Sequence, residues 1–118
     1  RLKGLISTKP SNYCRVLRSN LLILKNEGVK IAIGSDTYFD NSVKEFQFLY
    51  DLRIFSNLDL IKMWCENSAM TTFPNRKIGL LKEGYEASFL VMDSNPLIDI
   101  RDINKKIILK VKQGMILD

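Results

Sequence analysis

Apolar side chains return at steps of three and four between residues 12 and 27, at Tyr13, Val16, Leu17, Leu21 and Leu24. That period predicts a helix with one greasy side. Gly28 supplies a permissive helix end, and the period then changes to two. Val29, Ile31 and Ile33 share one face, while Lys30, Ala32, Gly34 and Asp36 share the other. The alternation predicts a buried parallel strand over 29–35, its large residues against covering helices and its small ones toward a crowded interior. Asp36 stands at its carboxyl end.

Thr37 to Asn41 is polar and turn-rich, so it reads as a loop over the Asp36 carboxylate. Ser42 and Glu45 then have the spacing of a capping box, opening a helix over 43–55 with Phe46, Leu49, Tyr50 and Arg53 on one side. A second box, Ser56 with Asp59, restarts the chain. Leu58, Ile61, Cys65 and Ala69 mark the buried stripe of another helix, flanked by Trp64 and stopped at Phe73-Pro74-Asn75. Beyond Lys77 the character shifts to strands, over 87–93 and 106–112, with Gln113-Gly114 as a tight hairpin returning residues 115–117. Two layers therefore meet near residue 76, dividing the chain into 1–76 and 77–118. Residues 1–10 have no clear period and predict an irregular start.

At 118 residues, 46% of them apolar, the chain suffices for a modest core. Its net charge of +5 is dispersed, without a basic arm or stripe, so nucleic acid is not an expected partner. No apolar run approaches a membrane span and no secretion signal is evident, so the expected location is the cytoplasm. Cys14 and Cys65 read as two buried thiols. Histidine is absent, which removes the commonest general base and the commonest zinc ligand. The chain begins at Arg1, as a processed or cut chain would. On local sequence Asp36 is open to two readings: a turn former, or a catalytic carboxylate at the strand end where barrels of alternating strands and helices gather their chemistry.

Residues 28–36, the two helices of 43–73, Ile78-Gly79, Gly84, Ala87, Asp93, Asn95-Pro96-Leu97 and Gly114 together resemble the carboxyl-terminal end of the amidohydrolase superfamily, on the imidazolonepropionase-like branch. The resemblance runs from about Leu21 to Gly114. It implies an α/β fold in which 29–35 is the last strand of a TIM-type (β/α)8 barrel and Ala87 onward belongs to a small β-sandwich, here truncated. It also implies a hydrolase of carbon–nitrogen bonds in cyclic amides or dipeptide-like small molecules. Asp36 would touch a divalent metal, zinc by the same likeness, and take a proton from the water bound to it. Thr37 and Tyr38 would lie beside the substrate. The histidines that supply most of the family's metal ligands have no counterpart here, and Ser88 stands where the family usually has Asp. This chain alone is therefore expected to hold no metal and to be inactive.

A different class of function remains open: a complete small α/β binding or interaction module, with Asp36 a turn residue and no catalysis. Under the truncated-barrel reading, exposed strand edges predict a homo-oligomer, most simply a twofold dimer through the Ile31 or Val91 region.

Overall fold

In the computed structural model, which describes residues 11–39 and 41–118, helix α1 spans Ser11–Asn26 and ends beside Gly28, whose φ is +71°. The irregular start expected for residues 1–10 lies outside the described residues. The helix is where the period placed it, but its inner side is turned: Cys14, Leu17 and Leu21 are half-buried, whereas Tyr13, Val16 and Leu24 are exposed. Polar contacts dock it: Lys25 Nζ donates to the Ile54 carbonyl at 2.8 Å and pairs with Asp59 at 3.1 Å, and Arg18 Nε donates to the Leu52 carbonyl at 3.2 Å.

Residues 29–35 are not part of a sheet. Their alternation survives from Lys30 onward, with Ile33 buried and Ile31 half-buried against the helices and Lys30, Ala32 and Gly34 exposed, but Val29, placed on the inward face, is exposed. The predicted ladder and crowded small-residue face are absent among the described residues: a Cβ built on Gly34 would meet nothing within 4 Å. A parallel strand needs neighbours to take its backbone groups, and here side chains from a helix take them instead.

Helix α2, Val43–Asp51, begins without the expected capping box. The Ser42 hydroxyl is occupied elsewhere, accepting the Trp64 indole N–H at 2.6 Å, and the Val43 N–H goes to Asn41 Oδ1 at 3.1 Å. The helix also stops before Arg53, which has a φ of +56° and lies over the Tyr50 ring, 4.4 Å from its centre. Phe46 and Leu49 are its buried residues, as expected.

The second capping box forms: Asp59 N–H donates to Ser56 Oγ at 3.1 Å, and Ser56 N–H to Asp59 Oδ2 at 3.0 Å. It opens a continuous helical run made of α3 (Asn57–Ile61), a π-helical turn (Lys62–Asn67) and α4 (Ser68–Thr72). The buried positions are Leu60 and Met63, while Leu58 and Cys65 are exposed, contrary to the predicted stripe. For Cys65, inside the π turn, the reason is that an α-helical period cannot be carried through a turn that contains an extra residue. Trp64 stacks on Phe46 with ring centres 4.4 Å apart, so it is a packing residue.

The antiparallel sheet follows, in the order β1 (Phe89–Met92), β2 (Ile107–Lys112), β3 (Met115–Leu117). Phe89 pairs with Val111 and Val111 with Ile116, and a bulge falls between Val91 and Met92. Gln113 and Gly114 both have positive φ, +53° and +78°, as a two-residue hairpin matched to strand twist requires. Between β1 and β2, Asp99 receives Arg101 Nε at 3.0 Å and Lys106 Nζ at 3.1 Å. This clasp flanks Ile100, which is 1% exposed and joins Ile33, Phe46, Leu49, Leu60 and Met63 in one core. Among the described residues, no helix is long and apolar enough to cross a membrane.

Candidate active site

Asp36 stands at the end of an extended segment that is bonded by helix residues 35 and 36 positions downstream. Asn67 Nδ2 donates to the Ile31 carbonyl at 2.8 Å. Ser68 Oγ accepts the Ile33 N–H at 2.9 Å and lies 2.8 Å from the Ile33 carbonyl. Three residues past Ile33 the backbone turns at Asp36, whose φ is +53°. Asp tolerates this left-handed conformation better than most side chains. The Ser35 hydroxyl bridges the turn, donating to the Thr37 carbonyl at 3.0 Å.

Asp36, Thr37 and Tyr38 all lie on the surface, and Tyr38 and Phe39 are fully exposed, at 102% and 101%. The structure therefore brings the three residues named from sequence into one exposed turn. What sequence reasoning missed is the clamp behind them, Asn67 and Ser68. Both fall in a stretch that reads as ordinary helix, and their polar side chains, half-buried, were the available signal.

The donor set does not make a metal site. Asp36 offers one carboxylate, the sequence has no histidine, and the described residues hold no cluster of three His, Cys, Asp or Glu. A catalytic zinc takes three protein ligands. Cys14 is half-buried and Cys65 exposed, so neither is the fully buried thiol expected, and they are not joined. Apolar surroundings nevertheless push the Cys65 thiol above its ordinary pKa, which disfavours the thiolate a metal would need. An apolar groove of about 570 Å³, walled by Trp64, Leu80, Leu81 and Phe89 among others, has no carboxylate, lysine or arginine in its lining. Asp36 is not part of it.

The sequence profile of the amidohydrolase family matches residues 8–117, nearly the whole chain. This chain belongs to the amidohydrolase family. Ochratoxinase sequences of Aspergillus niger, from different strains, are 36% identical to it over 76 residues. That stretch is 63% of this chain and 16% of the relatives' length.

Proposed function

We propose that this chain carries the Asp36 portion of an amidohydrolase active site, of the imidazolonepropionase-like branch, that hydrolyses carbon–nitrogen bonds in cyclic amides or dipeptide-like small molecules. The supporting observation is the placement of Asp36: an exposed carboxylate at the end of a fixed extended segment, in a chain whose family hydrolyses such bonds.

In this reading a carboxylate oxygen of Asp36 accepts a proton as water attacks the amide carbon. The water oxygen bonds to carbon, the carbon–nitrogen bond breaks, and the proton passes to the departing nitrogen. Thr37 and Tyr38 border the substrate, the first through its hydroxyl and the second through its ring. Asp36 would be one ligand of a divalent metal, zinc by the resemblance, which would activate the attacking water, its remaining ligands coming from outside the described residues. The 118-residue chain by itself is accordingly inactive.

The test is hydrolysis by the complete gene product of a panel of cyclic amides and N-acyl amino acids, with the 118-residue chain and an Asp36→Asn variant alongside. Turnover by the wild type alone is the expected result. Turnover by Asp36→Asn at the wild-type rate removes Asp36 from the chemistry, and activity of the 118-residue chain refutes its dependence on further donors.

A further inference from the structure

Residues 29–35 have strand geometry and no strand beside them among the described residues, yet their inward backbone groups are bonded. Asn67 takes the Ile31 carbonyl and Ser68 takes the Ile33 amide, both through side chains. The Ser68 hydroxyl has one proton to donate, and two carbonyls compete for it at 2.8 Å, those of Ile33 and Met63. The Met63 carbonyl also accepts the Ser68 backbone N–H, the five-residue step that closes the π turn. One added residue turns everything after it by about 100° around the helix axis. The turn thus decides which side of the helical run Asn67 and Ser68 occupy.

We propose that the π turn over Lys62–Asn67 is a positioning device, presenting Asn67 and Ser68 as two side-chain anchors that fix the direction of residues 29–35 and, through it, the place of Asp36. The inference rests on the reading of Asp36 as the reacting carboxylate. Asn67 and Ser68 hold that residue without touching substrate. Two anchor points are needed because one bond leaves the segment free to pivot. Ile31 and Ile33 are about 7 Å apart along an extended chain, a baseline long enough to set direction as well as position. A slip of one residue would turn Ile31 and Ile33 outward and carry Asp36 to the opposite face. The left-handed turn at Asp36 follows directly on this anchored stretch, so its geometry reports whether the anchor holds.

The experiment uses the isotope-labelled full chain and its Ser68→Ala, Ser68→Thr and Asn67→Ala variants, read by nuclear magnetic resonance. Exchange of the Ile33 amide reports the clamp, and the strong contact between the amide and α protons of Asp36 reports its positive φ. The Leu49 and Leu60 amides report global stability. We expect Ser68→Ala to speed Ile33 exchange by about tenfold and to average out the Asp36 signature, with Leu49 and Leu60 unchanged. Ser68→Thr, which keeps the hydroxyl, should retain both signals. A folded Ser68→Ala with Ile33 and Asp36 as in wild type overturns the proposal, as does equal acceleration of the Ile33, Leu49 and Leu60 amides. Should Ser68→Ala not fold, Asn67→Ala decides: an unaltered Asp36 signature refutes the device and a lost one supports it. None of these readouts depends on turnover, so failure of the catalytic reading of Asp36 would appear separately, in kinetics.

Discussion

The Trp64 indole N–H donates to Ser42 Oγ at 2.6 Å while its ring lies against Phe46, so the residue that should cap α2 instead anchors an aromatic pair. Two helices are joined at that point. Ser42→Ala should lower stability by about 1 kcal/mol, the net worth of one hydrogen bond. The loss should vanish in a Trp64→Phe background, which keeps the stack and removes the donor. A double-mutant cycle by urea unfolding makes the comparison, and an undiminished loss in the Trp64→Phe background would return Ser42 to a capping role.

Gly79 has a φ of +85°, and a Cβ there would stand 2.7 Å from both the Ala69 Cβ and the Cys65 carbonyl oxygen. Neither neighbour is the end of a flexible side chain. Gly79→Ala therefore combines left-handed strain with overpacking and should cost about 2–4 kcal/mol. Gly84, at +78° with nothing near its built Cβ, meets only the first term, about 1–2 kcal/mol. Chemical denaturation of both variants checks the difference. Equal losses would mean that close approach at Gly79 contributes nothing.

These two sites show what was legible in the sequence and what was not. The Ser56–Asp59 box and the Gln113-Gly114 hairpin could be read directly because each is closed by residues a few positions apart. The Ser42–Glu45 box has the same spacing and fails, because Trp64 competes for the hydroxyl from 22 positions away. The stripe of Leu58, Ile61, Cys65 and Ala69 assumed an unbroken helical period, and the π turn breaks it. Ile31 and Ile33 were rightly placed inward against helices, whereas Val29 on the same face is exposed and the segment's backbone is bonded by helix side chains instead of strands. Asp36 was legible as a carboxylate at a segment end, whereas Asn67 and Ser68, which hold that segment, become partners only in the folded chain.

Acid should release the clasp around Asp99. Hydrogen bonds from Arg101 and Lys106, with the Arg101 backbone amide, hold this carboxyl far below its ordinary value of 3.8. A folded pKa below the unfolded one contributes stability in full above the unfolded value, lost as pH falls through the folded one. Glu86, held down by the Ser88 hydroxyl and Arg76, acts in the same sense. Glu45 acts oppositely: burial raises it, so its ionisation costs stability and protonation relieves that cost. Wild type should therefore lose stability relative to Asp99→Asn from about pH 5 to pH 3. Parallel pH profiles of the two proteins would show that the clasp does not distinguish folded from unfolded chain.

In the complete gene product, Asp36→Asn keeps the side-chain shape and loses the proton acceptor. The deficit should fall in kcat by about a hundredfold or more, with KM little changed. Tyr38→Ala should do the reverse, raising KM while sparing kcat, if its ring only borders the substrate. Steady-state kinetics separates the two, and a kcat loss in Tyr38→Ala matching that in Asp36→Asn would move Tyr38 into the chemical step.

Association is the remaining expectation, and the β3 edge suits it better than the Ile31 or Val91 region. Ile31 and Val91 are half-buried, while Ile116 is exposed by 68% on one sheet face and Leu90, Ile108 and Met115 by 56%, 67% and 63% on the other. Lys110 and Lys112 interrupt this sheet surface, so stacking it face to face on a second copy would oppose like charges. Edge pairing avoids that conflict. The β1 edge carries the bulge at Val91 and Met92, which spoils a continuous ladder, whereas β3 is a free edge among the described residues. We infer that two copies pair antiparallel along β3 about a twofold axis. The two β2 strands would then lie about 14 Å apart at about 4.8 Å per strand, so their lysines are screened at a Debye length of about 8 Å. Light scattering at micromolar concentration should give a dimer, and Ile116→Lys, which sets two ammonium groups near the axis, should give a monomer with the same circular dichroism. A wild-type monomer at these concentrations would rule the pairing out, and a dimer that survives Ile116→Lys would place the contact elsewhere.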